Sequence, residues 1–417
     1  MFKAPRGTAD TLPANQPYWR FVEDKATAIC NLYGYKRLDT PAFEDYNLFA
    51  RTVGEGTDIV TKEMYTFEDR SGNVMALRPE GTASVCRAYL EHGMHNLPQP
   101  VKLYYLAAIF RYERPQAGRY RQHHQFGCEA IGDADPAVDA EVIDLVWQFY
   151  RSLGLKELTL HLNSIGCRVC RPAYLEALKH YYSSALNSLC PDCRNRFEKN
   201  PLRLLDCKEP ACQAAADAAP ATTRSLCQEC GRHHDRLQKY LLRLDINFKF
   251  NHRLVRGLDY YTRTVFEIQT REAGAQTALG GGGRYDNLIE DLGGKPTPAV
   301  GFGTGIERII QNLITQKSPV PPVARPVVFI AFAGDPARDA AFSLASDLRR
   351  SGISAVATLS SRSLKAQLKQ ADASGARHTV IVGEEELARG IVTLRDMGTS
   401  QQTTIPTSDL AARLSKT

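Results

Sequence analysis

FRYERPQAGRYRQHHQFGCE, residues 110–129, is the stretch whose reading decides the fold. Val101 to Tyr112 is apolar on both faces, as a buried strand would be, and His123 to Ile131 can pair back on it across a loop containing Pro115 and Gly118. An antiparallel hairpin with a long basic tip follows. Arg111, Arg114, Arg119 and Arg121 fall within eleven residues that hold a single acid, Glu113. Guanidinium groups suit bidentate contacts with phosphate, and Arg111 is the one anchored on a buried strand. Standing alone, the segment reads as a solvated basic hairpin.

Working outward, Trp19, Val22, Ala26, Ile29 and Tyr33 recur at three- and four-residue spacing, which predicts an amphipathic helix over 15–33, ended by Gly34. A second helix spans Asp139 to Leu153 and closes at Gly154. Residues 165–245 are mostly helical and rich in cysteine. Strand character returns at Asp259 to Thr270, with Tyr260, Thr262, Thr264, Phe266 and Ile268 on one face. The run Gly280 to Gly283 reads as a loop that would let backbone approach a ligand closely, with Arg284 and Tyr285 behind it. Beyond it come another strand and a helix with Ile306, Ile309, Ile310, Leu313 and Ile314 on one stripe.

SPVPPVARP, residues 318–326, is a semi-rigid proline-rich linker. Past it, strands at Val327–Phe332, Ser354–Leu359 and Thr379–Val382 alternate with helices at Pro336–Ser351 and Ser363–Ser374, which predicts a small α/β domain on a largely parallel sheet. That domain has no glycine-rich nucleotide motif. The chain thus divides into 1–164 and 246–317, a catalytic core interrupted by the insertion 165–245, then the linker and 327–417.

The 417 residues are 43% hydrophobic and 24% charged, the composition of a soluble globular chain. The longest apolar run, Val327 to Ala333, is far shorter than the ~18 residues that cross a membrane, so the expectation is a cytoplasmic protein with no leader and no anchor. The net charge is +6. Residues 165–245 carry 13 Lys+Arg against 9 Asp+Glu and residues 324–417 carry 12 against 9, while the remainder is nearly neutral with 27 against 28. Cations on two flanking modules suit a polyanionic partner, although excesses this small also describe ordinary solvated faces.

Three further segments carry candidate chemistry. In GTGIER, residues 303–308, a glycine-bearing strand end runs into a helix and puts Arg308 in its first turn, where a cation is unfavourable unless an anion joins it. Arg256 opens RGLDYYTRTVFE, residues 256–267, whose tyrosines can offer hydroxyls to a pocket. RPEGT, residues 78–82, places Glu80 and Thr82 in what reads locally as a surface turn.

Taken in order, RGTADTLP, TKEMYTFEDR, LRPEGT, FRYERPQAGRYRQ, NSIG, LVRGLDYYTRTVFE, GGGGRYDNLI and PAVGFGTGIER resemble the class II aminoacyl-tRNA synthetases, and among them the histidyl-tRNA synthetase family. The resemblance covers nearly the whole chain. It implies an α+β fold: a class II antiparallel sheet flanked by helices, a helical insertion and a C-terminal α/β anticodon-binding domain, in a homodimer joined through the first long helix and the strand ending near Pro41. By the same resemblance, Arg111 and Arg256 hold the α-phosphate of ATP, Arg308 holds the γ-phosphate, and Mg²⁺ bridges the leaving group. Glu80, Thr82 and Gln125 surround the amino group of L-histidine, with Glu129 and Tyr261 on its ring and Tyr260 and Tyr285 in the same pocket. Gln116, Arg119 and Arg121 grip the acceptor end of the tRNA.

Two relatives remain as alternatives. One is a regulatory subunit of ATP phosphoribosyltransferase, which shares the catalytic domain without aminoacylation. The other is a class II synthetase for threonine or proline. Retention of all three arginines and of residues 327–417 argues against the first, and Glu129 with Tyr261 against the second.

Eight of the eleven cysteines lie inside the insertion: Cys167/Cys170, Cys190/Cys193 and Cys227/Cys230 as CxxC pairs and Cys207/Cys212 as CxxxxC. Four close pairs suit two four-thiolate structural Zn²⁺ sites, which the family resemblance does not supply, or reduced, partly buried thiols. The sequence does not fix how they pair.

Overall fold

A computed structural model describes residues 2–54, 57, 59–112, 120–270, 278–322, 325–358 and 362–415. It divides into two compact units, Met1–Pro321 and Pro322–Thr417. The first is built on an eight-stranded sheet in the order Lys36–Arg37, Val101–Phe110, Gln122–Ile131, Ala299–Gly305, Ala278–Arg284, Thr262–Thr270, Leu158–Ser164, Phe248–Phe250. Every pairing is antiparallel except those of the two edge strands.

The hairpin formed by the second and third strands pairs Val101 with Ile131 through to Phe110 with Gln122. Because side chains alternate across a strand, each central strand sends a different set to each face. Phe126, Cys128, Ala130, Val300, Phe302, Phe266, Ile268, Leu160 and Leu162 enter one apolar core. The helices Gln16–Leu32, Pro136–Ser152, Ile306–Thr315 and Gln228–Arg243 cover that face, with Val22, Ala26, Val142, Val146, Ile309 and Leu237 all at 0–1% exposure. Each such side chain contributes roughly 1.5–3 kcal/mol of burial. The opposite face carries Gln125, Gly127, Glu129, Gly301 and Gly303 at the alternate positions. The helix-covered face packs one apolar core, whereas the other combines a second apolar core, which includes Leu103, Tyr105 and Val265, with these polar and glycine positions.

The structure revises several sequence expectations. Gly280 to Gly283 form no loop: they lie inside the Ala278–Arg284 strand and pair on both sides. Glycine has low strand propensity, so the run reads as a turn until neighbouring backbones are seen crowding it. The strand expected from Asp259 begins at Thr262, because Arg263 takes φ +46° and the register shifts there, leaving Tyr260 and Tyr261 before the strand. Ile314 is 46% exposed and lies off the buried stripe. RPEGT is no surface turn: Glu80 and Thr82 are 3% and 8% exposed, and Thr82 starts the helix Thr82–Glu91.

The second unit has a five-stranded sheet, Ala355–Ala357, Val328–Phe332, His378–Val382, Ile391–Asp396, Gln402–Pro406. The first three strands are parallel, but the last two are antiparallel, so the sheet is mixed and not largely parallel. The two strands missed are short and half polar, with little alternation to mark them.

Candidate active site

Arg111, Arg256 and Arg308 come from three segments and line one cavity of about 260 Å³. Arg111 leaves the end of the Val101–Phe110 strand and donates through Nε to the Pro79 carbonyl at 2.8 Å. Arg256 donates to Glu267 at 3.3 Å and its guanidinium lies 5.9 Å from the centre of the Tyr261 ring. Arg308, third residue of the Ile306–Thr315 helix, donates to the Ala278 carbonyl at 2.5 Å. Three guanidiniums converging on one small space create a positive potential that favours a polyanion.

Sequence reasoning passed over several residues that line this cavity: Tyr120, His123, Glu267 and Glu307. Glu307 accepts from the His124 backbone at 2.8 Å and meets its ring nitrogen at 2.9 Å. The imidazole of His123 is held neutral, its pKa pushed down to about 3, first by burial and then by Arg111 and Arg308. Glu267 and Glu307 both sit inside quoted motifs, as the last residue of RGLDYYTRTVFE and the fifth of GTGIER, so for Glu307 the adjoining Arg308 was the available signal, whereas Glu267 meets Arg256 only in the fold.

Beside the cavity, and outside its lining, lies a buried polar cluster. Glu129, 1% exposed, accepts from Thr82 Oγ1 at 2.8 Å and from the Tyr285 hydroxyl at 2.5 Å. Burial raises its pKa to about 8, with the Glu80 carboxylate adding to the rise and the two hydroxyl donors opposing it. Glu80 accepts from the backbone N–H of Thr82 and Ala83, both at 2.7 Å, and so caps the Thr82–Glu91 helix. Burial raises its pKa too, against those hydrogen bonds. The Tyr260 hydroxyl donates to Glu80 at 3.4 Å, and the Tyr260 ring packs 4.7 Å from Tyr261 and 5.7 Å from Tyr285.

Gln125 joins the two compartments, since it lines the arginine cavity and donates to the Tyr105 hydroxyl at 2.8 Å. The glycines beneath explain how these side chains lie flat on the sheet. A Cβ on Gly301 would strike the Glu129 carboxylate, one on Gly303 the Gln125 amide, and one on Gly127 the Tyr105 ring. On Gly281 it would sit 2.7 Å from the Arg256 guanidinium. The glycines form a floor on which these side chains can lie against the backbone.

Not every expected residue joins the site. Gln116 and Arg119, with Arg114, lie outside the described residues. Arg121 is absent from the arginine cavity lining; its guanidinium stacks 4.0 Å over Tyr112 and its stem packs on Gly7. Arg284 faces no ligand: at 0% exposure it donates to Asp139 at 2.9 Å and to the Asp133 and Asp135 carbonyls, and Asp139 also meets His233 of the insertion at 2.5 Å. The eight insertion cysteines gather into two groups of four, Cys167, Cys170, Cys227, Cys230 and Cys190, Cys193, Cys207, Cys212.

The histidyl-tRNA synthetase family matches residues 7–309, and an anticodon-binding domain matches residues 327–417. The histidine–tRNA ligase of Dehalococcoides mccartyi is 59% identical over 416 residues, 100% of both chains. That of Desulforamulus reducens is 50% identical over 406 residues, 97% of each. Among solved structures, apo histidyl-tRNA synthetase of Staphylococcus aureus superposes with TM-score 0.84 at 38% identity, covering 99% of this chain and 100% of that one. By its sequence and its fold alike, the chain belongs to the histidyl-tRNA synthetase family.

Proposed function

We propose that this chain is a histidine–tRNA ligase, which activates L-histidine with ATP and transfers it to the 3′ end of its tRNA. The observation that carries the reading is the convergence of Arg111, Arg256 and Arg308 on one cavity joined through Gln125 to the Glu129–Tyr285 slot. In the first half-reaction the histidine carboxylate attacks the α-phosphorus of ATP and pyrophosphate departs. The chain supplies alignment and cations and no covalent nucleophile: Arg111 and Arg256 face the α-phosphate and Arg308 the γ-phosphate. Mg²⁺ suits the same cavity, because Glu267 and Glu307 offer hard oxygen donors among the arginines, and it would neutralise charge on the leaving pyrophosphate.

Glu80, Thr82 and Gln125 take the substrate amino group, while Glu129 and Tyr261 take the imidazole, with Tyr285 orienting Glu129. An apolar amino acid in this slot would leave buried polar groups unpaired, which discriminates by ~10⁴-fold or more. In the second half-reaction the terminal ribose hydroxyl attacks the histidyl carbonyl and AMP departs. Gln116, Arg119 and Arg121 hold the acceptor end, and residues 327–417 read the anticodon arm. The same reading makes the chain a cytoplasmic homodimer; among the described residues no helix is long and apolar enough to cross a membrane. ATP–pyrophosphate exchange run with each amino acid tests the proposal. Exchange with histidine alone is expected, and exchange with none, as for a regulatory subunit, or with threonine or proline, would overturn it.

A further inference from the structure

We propose that the insertion holds two structural zinc ions, one on Cys167, Cys170, Cys227 and Cys230 and one on Cys190, Cys193, Cys207 and Cys212. The geometry of the sulfurs carries the proposal. In each group of four the Sγ atoms all lie within 4.8 Å of one another. Cys167 Sγ stands 3.8 Å from Cys170 Sγ and 3.9 Å from Cys227 Sγ, and Cys190 Sγ stands 3.9 Å from Cys207 Sγ. A tetrahedron with Zn–S bonds of ~2.3 Å has an edge of about 3.8 Å. Disulfides require about 2.05 Å and are ruled out at these separations. An iron–sulfur cluster, carrying its thiolates on the outside of a larger cage, would spread them much further apart.

Local backbone completes both sites. The Cys167 N–H points at Cys170 Sγ at 3.3 Å, the Cys190 N–H at Cys212 Sγ at 3.3 Å and the Cys193 N–H at Cys190 Sγ at 3.4 Å. Such donors disperse thiolate charge. Cys170, Cys190 and Cys227 each occupy the N-cap of a helix, at Arg171–Ser183, Pro191–Lys199 and Gln228–Arg243, so three helix starts converge on the two clusters. Gly166, at φ +69°, would bring a Cβ to 2.8 Å from Cys170 Sγ, so the chain wraps this sulfur as only glycine allows.

Packing shows what the ions would do. The helix Pro191–Lys199 buries only Cys193, and Pro210–Asp217 buries only Cys212 and Ala216. Segments with so little apolar surface need another source of order, which a metal supplies as folding free energy. The first site joins the start of the insertion to its last helix. Arg171, adjacent to Cys170, donates to the Tyr261 carbonyl at 2.5 Å, so that knot is tied one residue from a strut of the histidine slot.

The full-length chain, purified without chelator and dialysed against metal-free buffer, should carry about two zinc ions per chain by elemental analysis. Cys227→Ala/Cys230→Ala and Cys193→Ala/Cys212→Ala should each retain about one, and Co²⁺ substitution should give half the thiolate charge-transfer intensity of the parent. Because a double variant can fail to fold, the parent is also titrated with a mercurial, and modification of its thiols should release two zinc ions into a chromophoric indicator. Less than ~0.2 zinc per chain with no uptake in a zinc titration, iron with acid-labile sulfide in its place, or double variants that keep both ions would each overturn the proposal.

Discussion

The glycine-floored face of the large sheet and the cysteine-rich insertion solve the same problem in opposite ways. On the sheet, Glu129, Gln125 and Arg256 are held at fixed depth because antiparallel ladders place glycine backbones directly beneath them. Precision there comes from main-chain hydrogen bonds that every residue supplies. In the insertion, short helices with few buried apolar side chains converge on eight sulfurs, and order comes from side-chain chemistry at two points. The lesson is that a site built on sheet backbone depends on residues that are absent, the missing Cβ atoms, whereas a site built on loops depends on residues that are present.

The comparison can be broken most directly at the arginine cavity. Arg256→Ala should lower histidine-dependent exchange by about 10³-fold, the scale of losing a preorganised electrostatic contact, with circular dichroism and melting temperature nearly unchanged. Near-normal turnover would show that the α-phosphate lies elsewhere. Gly301→Ala tests the floor itself. Its Cβ would collide with the Glu129 carboxylate and the Cys128 carbonyl, so exchange should fall by about 10²-fold, mostly through KM for histidine, with roughly 1–3 kcal/mol of stability lost. Unchanged kinetics would mean that the carboxylate position does not matter.

Where the two regions meet, Arg284→Leu would strand the fully buried Asp139 that also meets His233. Chemical denaturation should report a loss of about 3 kcal/mol or more. A neutral outcome would show that the joint contributes nothing.

The remaining effect is a pH dependence. Glu129 has its folded pKa raised from 4.5 to about 8, so the native state binds this proton more tightly than the unfolded chain. Its contribution is fully present below pH ~4.5 and is lost as pH rises through 8. The stability of the parent relative to Glu129→Gln should therefore fall between pH 6 and 9, read from denaturation midpoints across that range. A flat difference would place the Glu129 value in the ordinary carboxylate range.

Much of the site is legible in the chain, and the reasons are local. Arg111 sits at the end of an apolar strand, Arg308 at a strand-to-helix junction, and Glu129 on the return strand of a hairpin whose pairing follows from two facing apolar runs. Residues whose role depends on a neighbour are not legible. His123 becomes a neutral member of the cavity through its burial there and, after that, through Arg111 and Arg308, which reach it from elsewhere in the chain. Arg284, beside Tyr285 in sequence, points to the opposite side and is absorbed by Asp139, because strand alternation sends consecutive side chains to different faces.

By itself, then, the sequence determined the family, the pairing of the Val101–Ile131 hairpin and the residue types proposed for phosphate and imidazole, since motif spacing and apolar periodicity are written along one dimension. Only tertiary structure decided that four glycines form a strand, that Tyr260 and Tyr261 precede one, and which cysteine pairs face each other. Those outcomes rest on contacts between segments tens to hundreds of residues apart, and the energy of such contacts belongs to neither segment alone.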